Sequence, residues 1–149
     1  MTWLARHAQS IQAGSAILTA IVALAALIGV KVQLDQADRV QREQSAREAY
    51  RAHLSLAASM PDFAQPQDAC RLLVSGQGGA YVAFVDHLLY SAEQMLAISE
   101  GWQRSFLDEL AVHRDYLCMA EGPAGETEEM HALLSQFRNT ACPTDPICG

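Results

Sequence analysis

The order of apolar and polar positions divides the chain into stretches of different character. From Ile11 to Val30 the sequence "IQAGSAILTAIVALAALIGV" carries no charge. A helix of about 20 such residues, rising roughly 1.5 Å each, matches a hydrocarbon layer of about 30 Å. From Val30 to Met60 there is no Gly or Pro, and acidic residues are interleaved with basic ones. The helix is therefore expected to run on for about 31 residues, or roughly 46 Å, until Pro61 stops it. Asp35, Asp38 and Glu43 each precede an arginine by four residues (Arg39, Arg42, Arg47), the favourable order for an exposed helix. Val30, Leu34 and Ala37 continue a heptad-like spacing that Gln41 and Gln44 break. Beyond Ala46 the pattern turns amphipathic, and Tyr50, Leu54 and Ala57 are expected to pack on the C-terminal domain.

After a break rich in Pro and Gly, "MPDFAQPQDACRLLVSGQGGA", with a helical turn expected around Cys70 to Val74, helical periodicity returns. Tyr81, Phe84, Val85, Leu88, Leu89, Ala92, Met95 and Leu96 share one stripe. "WQRSFLDELAVHRDYLCM" reads as a second helix with Trp102, Phe106, Leu110, His113 and Leu117 inward, joined closely enough to form an antiparallel hairpin. "TEEMHALLSQF" supplies a shorter one, burying Met130, Leu133, Leu134 and Phe137 behind an acidic first turn. The expected fold is all-α. A flank (1–10) precedes a transmembrane helix (11–30) and its extramembrane continuation (31–60); a loop (61–79), a small helical bundle (80–138) and a Cys/Pro tail (139–149) complete the chain.

A cleaved secretory signal and a buried helix of a soluble protein are the competing readings of the apolar run. The first lacks a cleavage site before a loop, and the second lacks apolar segments to surround it. Trp3 stands where an interfacial aromatic is expected. Lys31, Arg39, Arg42 and Arg47 follow the span closely and only Arg6 precedes it. The positive-inside rule then puts the C-terminal domain on the cytoplasmic side of the membrane, with the periplasm as the alternative. Within the span, Ser15, Thr19 and Ala23, and Ala25 with Gly29, recur every four residues, a spacing that lets helix backbones approach closely in lipid. Alanine is abundant enough here to produce such a row without a role.

Charge narrows the partners. Residues 60–149 hold four Arg, no Lys and thirteen Asp or Glu, within a chain of net charge -7. Such a domain repels nucleic acid and acidic head groups. The lipid bilayer and a protein partner, or self-association through the membrane helix, are the expected contacts.

Candidate chemistry is sparse. Glu128 and His131 form one Glu-x-x-His pair, whereas carboxylate-bridged metal sites in bundles need two pairs and two further carboxylates. Glu109 with His113, and Asp86 with His87, read as core and surface neighbours. No phosphate loop or nucleophile elbow is present, and no cofactor is expected. The four cysteines would be thiols in the cytoplasm. In the periplasm Cys142 could pair with Cys148, and Cys70 with Cys118.

The sequence from "AREAYRAHLSLAASMPDFA" through "YVAFVDHLLYSAEQMLAI" to "WQRSFLDELAVHRDYL" resembles a set of small, uncharacterised bacterial single-span membrane proteins. They share a helical C-terminal domain with a His-Arg-x-Tyr-Leu segment, here His113 to Leu117. The resemblance implies the architecture and no activity. These features point to a membrane-anchored scaffold or interaction module without catalytic activity, such as an accessory subunit of a membrane complex. A membrane-associated signalling or defence effector, and a metal-dependent bundle enzyme, are the alternatives.

Overall fold

The computed structural model describes residues 2–119, 123, 125–143 and 148, and the side chains of all of these except 2–13 and 100. The anchoring role expected of Trp3 thus lies outside the described side chains. All the regular elements among the described residues are helical. They are α1 (Thr2–Ser59), α2 (Pro61–Ala64), α3 (Ala69–Val74), α4 (Gly78–Leu96), a 3-10 turn (Glu100–Trp102), α5 (Gln103–Ala111), α6 (Arg114–Leu117) and α7 (Glu128–Ala141). The chain divides into two compact units, Met1–Gln41 and Arg42–Gly149.

The first unit consists of α1 residues whose described side chains, from Gly14 onward, all face outward. Ile17, Leu24 and Leu27 keep more than half their surface. This is the one described helix long and apolar enough to cross a membrane, with mean hydropathy 2.3 over its best window and none of that window buried. Backbone hydrogen bonds complete the helix internally, as a segment in lipid must. Thr19 adds one more by donating its hydroxyl to the Ser15 carbonyl at 2.9 Å. Ser15, Thr19, Ala23, Ala25 and Gly29 are all exposed.

The second unit owes its shape to one apolar core. The end of α1 contributes Ala46 and His53, both buried, with Tyr50 and Ala57 partly so. Their steps of four, three and four residues trace one helix face. Leu54, expected on that face, instead keeps 48% of its surface; it lies a residue beyond the buried line, and His53 takes the inward position. Glu43 and Arg47 form the expected pair at 3.9 Å on the solvent side.

Met60 separates α1 from α2, where Pro61 opens a new helix at the position its fixed φ suits. The segment read as a loop, 61–79, therefore carries two short helices. α3 starts on Asp68, whose carboxylate accepts the Arg71 N–H at 2.8 Å. Gly78, at the start of α4, passes so close to α3 that a Cβ there would lie 2.2 Å from the Leu73 carbonyl oxygen.

The stripe from Tyr81 to Leu96 is buried along its whole length, as are Phe106, Leu110, Leu117, Met130, Leu133, Leu134 and Phe137. Two expectations for this region need correction. The single helix read over Trp102–Met119 breaks at Val112–His113, where N–H groups reach back three residues, to Glu109 and Leu110, instead of four. The close hairpin of α4 with the next long helix is replaced by α7, which lies against both α4 and α5. Glu93 of α4 explains the docking. Its Oε1 accepts the N–H groups of Glu126 (3.1 Å) and Thr127 (2.6 Å), satisfying donors at the start of α7 that the helix cannot. Thr127 then caps α7 through its hydroxyl, which accepts the Met130 N–H at 3.3 Å.

All four cysteines are in disulfides, and the pairing differs from the one anticipated for an oxidising compartment: Cys70 bonds Cys148, and Cys118 bonds Cys142. Sequence proximity suggested Cys142 with Cys148, but the packing of α7 decides. Arg138, one turn before its end, donates to the Leu117 carbonyl at 3.3 Å and to the Pro123 carbonyl at 2.5 Å. That fastens the last turn of α7 beside the end of α6, and the Cα atoms of Cys118 and Cys142 come within 5.5 Å.

Candidate functional site

Polar groups in a small helical core attract attention because burying one without a partner costs about 1–3 kcal/mol. Three histidines cluster here, two of them against the Phe84 ring. His53 from α1 lies 5.1 Å from it between centroids, and His113, at the break between α5 and α6, lies 5.9 Å away. His87, one turn beyond Phe84 on α4, stacks on His53 at 5.6 Å with an interplanar angle of 22°. Helix geometry produces this convergence. Phe84 and His87 are three residues apart on α4, so they share a face, and His53 meets both from α1. Ser91, one turn further along α4, donates to the Ala49 carbonyl at 3.2 Å and helps hold the two helices together.

The histidines differ in how their nitrogens are satisfied. His113 Nδ1 lies 3.0 Å from the Tyr81 hydroxyl, so this buried imidazole has a partner. The Nδ1 atoms of His53 and His87 are buried with no hydrogen-bond partner among the described residues. Burial, reinforced by the neighbouring His87, pushes the pKa of His53 down to about 4. Burial, with His53 nearby, takes His113 down to about 4 as well. Both rings are therefore neutral near pH 7. Burial raises the Tyr81 hydroxyl to about 12, with Asp115 and Tyr116 adding to it, so the phenol stays protonated.

A pocket of about 170 Å³ opens beside this cluster. Phe84 and Leu88 of α4, Leu54 and Ala57 of α1, Ala64 of α2 and Val112 form its apolar lining. His53, His113, Glu109 and Gln65 supply its polar lining. Glu109 is held by the Tyr50 hydroxyl, which donates to its Oε1 at 2.5 Å. Burial and this acidic neighbour raise Tyr50 to about 12. Edge-on contacts with Trp102 and Phe106, each at 5.5 Å, fix the Tyr50 ring.

The residues weighed as metal ligands from sequence fall in different places. Glu128 and His131 are both exposed on the first turn of α7. Glu109 faces the pocket, His113 is committed to Tyr81, and Asp86 lies at the surface, where partial burial of its carboxyl raises its pKa. Among the described residues, no three His, Cys, Asp or Glu side chains converge in a way that could hold a metal ion. Sequence reasoning passed over His53 altogether. The available signal was its place on the line Ala46, Tyr50, His53, Ala57, which an apolar-only search skips.

No known protein family, curated protein or solved structure matches the chain. A functional reading therefore stands on the geometry and chemistry of the chain itself.

Proposed function

We propose that the protein is a membrane-anchored interaction module of a bacterial inner membrane, with α1 as its single span and the helical domain as the part that meets a protein partner. The observation that carries this reading is the contrast between an apolar helical stretch with no protein cover and a domain with a complete core of its own. Uncovered apolar helix on this scale calls for lipid or another helix, and the row Ser15, Thr19, Ala23 offers a face where a second copy or a partner's helix can pack closely.

We further place the domain on the oxidising side of the membrane, against the orientation that Lys31 and the three arginines favour. Two disulfides support this placement, because the reducing cytosol keeps such thiols unpaired whereas the periplasm lets the bonds persist.

Thiol labelling in cells with a permeabilised outer membrane tests both parts. A membrane-impermeant maleimide should leave all four cysteines unmodified until an impermeant reductant is added, and then modify them. Free labelling only after the inner membrane is broken, with no prior reduction, returns the domain to the cytoplasm. Crosslinking in the same cells should trap the chain with a partner or with itself; a chain that stays monomeric with nothing attached refutes the interaction role.

A further inference from the structure

The pocket beside the histidine cluster goes beyond an interaction role. Its volume of about 170 Å³ exceeds the roughly 150 Å³ that accommodates a benzene ring in an apolar cavity. An apolar lining alone would suit any small hydrocarbon, but three features select further. His53, 5% exposed, lines the pocket as a neutral ring and so sets no positive charge against a cation there. Glu109 brings a carboxylate, oriented by Tyr50. Phe84, in the same lining, brings an aromatic face, which attracts cations. The surrounding domain adds a field of the same sense, with thirteen acids against four arginines over residues 60–149. Such a field concentrates small cations and repels anions.

We infer that the pocket lined by Phe84, Leu88, His53, His113 and Glu109 binds a small organic ammonium ion, its apolar body against Phe84 and Leu88 and its N–H groups on Glu109. A neutral ligand would leave the charge of the carboxylate unpaired. An anionic one would meet Glu109 directly.

The test uses the full-length oxidised chain in detergent micelles at about pH 7.5, where benzylamine is a cation of suitable size. Benzylamine, benzyl alcohol and benzoate are titrated in turn while the histidine ring signals are followed by NMR. Benzylamine should shift the His53 and His113 signals saturably and bind at least about tenfold more tightly than benzyl alcohol, a difference of about 1.4 kcal/mol; benzoate should leave the signals unmoved. Glu109→Gln, which keeps an acceptor for Tyr50, should weaken benzylamine about tenfold without changing benzyl alcohol. Phe84→Leu, which keeps an apolar wall and removes the aromatic face, serves as an independent second variant and should weaken benzylamine more than benzyl alcohol. Equal affinity for the amine and the alcohol, or unchanged amine affinity in both folded variants, would overturn the inference. So would the lack of any saturable shift up to about 10 mM, weaker than the millimolar range of even modest fragment binding.

Discussion

Two stretches of the same helix follow opposite rules. Between Gly14 and Gln41 α1 is strongly apolar near its start, yet every described side chain is exposed. Between Ala46 and Ala57 it is far more polar, yet Ala46 and His53 are buried and Tyr50 and Ala57 largely covered. Hydrophobicity alone therefore does not decide which part of a helix enters a protein core. The second stretch is buried because α4, the 3-10 turn and α5 present Phe84, His87, Ser91, Trp102 and Phe106 to it. The first keeps every described side chain exposed, so its apolar surface stays uncovered.

The contrast is broken most forcefully at the disulfides. Cys70 and Cys148 are 78 residues apart in sequence, and Cys118 and Cys142 are 24 apart. Taken singly, loops of those lengths correspond to about 4.5 and about 3.5 kcal/mol of chain entropy. Cys70→Ser should therefore lower domain stability more than Cys118→Ser, as read by thermal loss of the near-ultraviolet signal of Trp102. The helicity of the apolar stretch in detergent should survive both changes. If the whole of α1 melts with the domain, its two stretches are not independent.

Truncation of the core comes next. Phe106→Ala should cost about 3–5 kcal/mol, whereas Leu27→Ala, on the exposed stretch, should shift the same transition by no more than about 0.5 kcal/mol. Chemical denaturation in detergent measures both. A large effect of Leu27→Ala on the domain would mean that the two stretches share a packing unit.

Acid sharpens the comparison. His53 and His113 have folded-state pKa values near 4, below the unfolded value of 6.5. The unfolded chain thus takes up protons first as pH falls. Stability is complete above about pH 6.5 and declines toward pH 4, by about 3 kcal/mol for each histidine across the full window. Denaturation midpoints measured from pH 7.5 to 4 should show this slope, and His53→Gln should remove a large part of it. An unchanged slope in that variant would show that His53 is not buried as a neutral ring.

The smallest effect belongs to the helix cap. Thr127→Ala removes the acceptor for the Met130 N–H and should cost about 1 kcal/mol, detectable as a few degrees in thermal midpoint. No change there would leave Glu93 as the effective cap of α7.

Much of this architecture was legible in the sequence because it rests on local periodicity. The stripe from Tyr81 to Leu96 and the quartet Met130, Leu133, Leu134 and Phe137 repeat at helical spacing, and each has enough apolar residues to declare its inward face. The rest depends on contacts that no local pattern carries. Nothing between Trp102 and Met119 resembles a helix breaker, so the turn at Val112–His113 emerges only once His113 meets Tyr81. His53 is polar by type and buried by company. The disulfide pairing follows from Arg138 fastening α7 beside Leu117, a tertiary contact between residues 21 positions apart. The pocket was equally hidden, since its lining comes from four separate stretches of chain.

The nesting of the two disulfides has a consequence for the lifetime of the molecule. The Cys118–Cys142 loop lies inside the loop closed by Cys70 and Cys148. A protease that cuts one peptide bond anywhere between residues 70 and 148 therefore releases no fragment, and a cut between 118 and 142 leaves the two pieces joined twice. Damage to the loop ahead of α7 does not detach the helix that completes the core. A protein so wired can be nicked and remain in service.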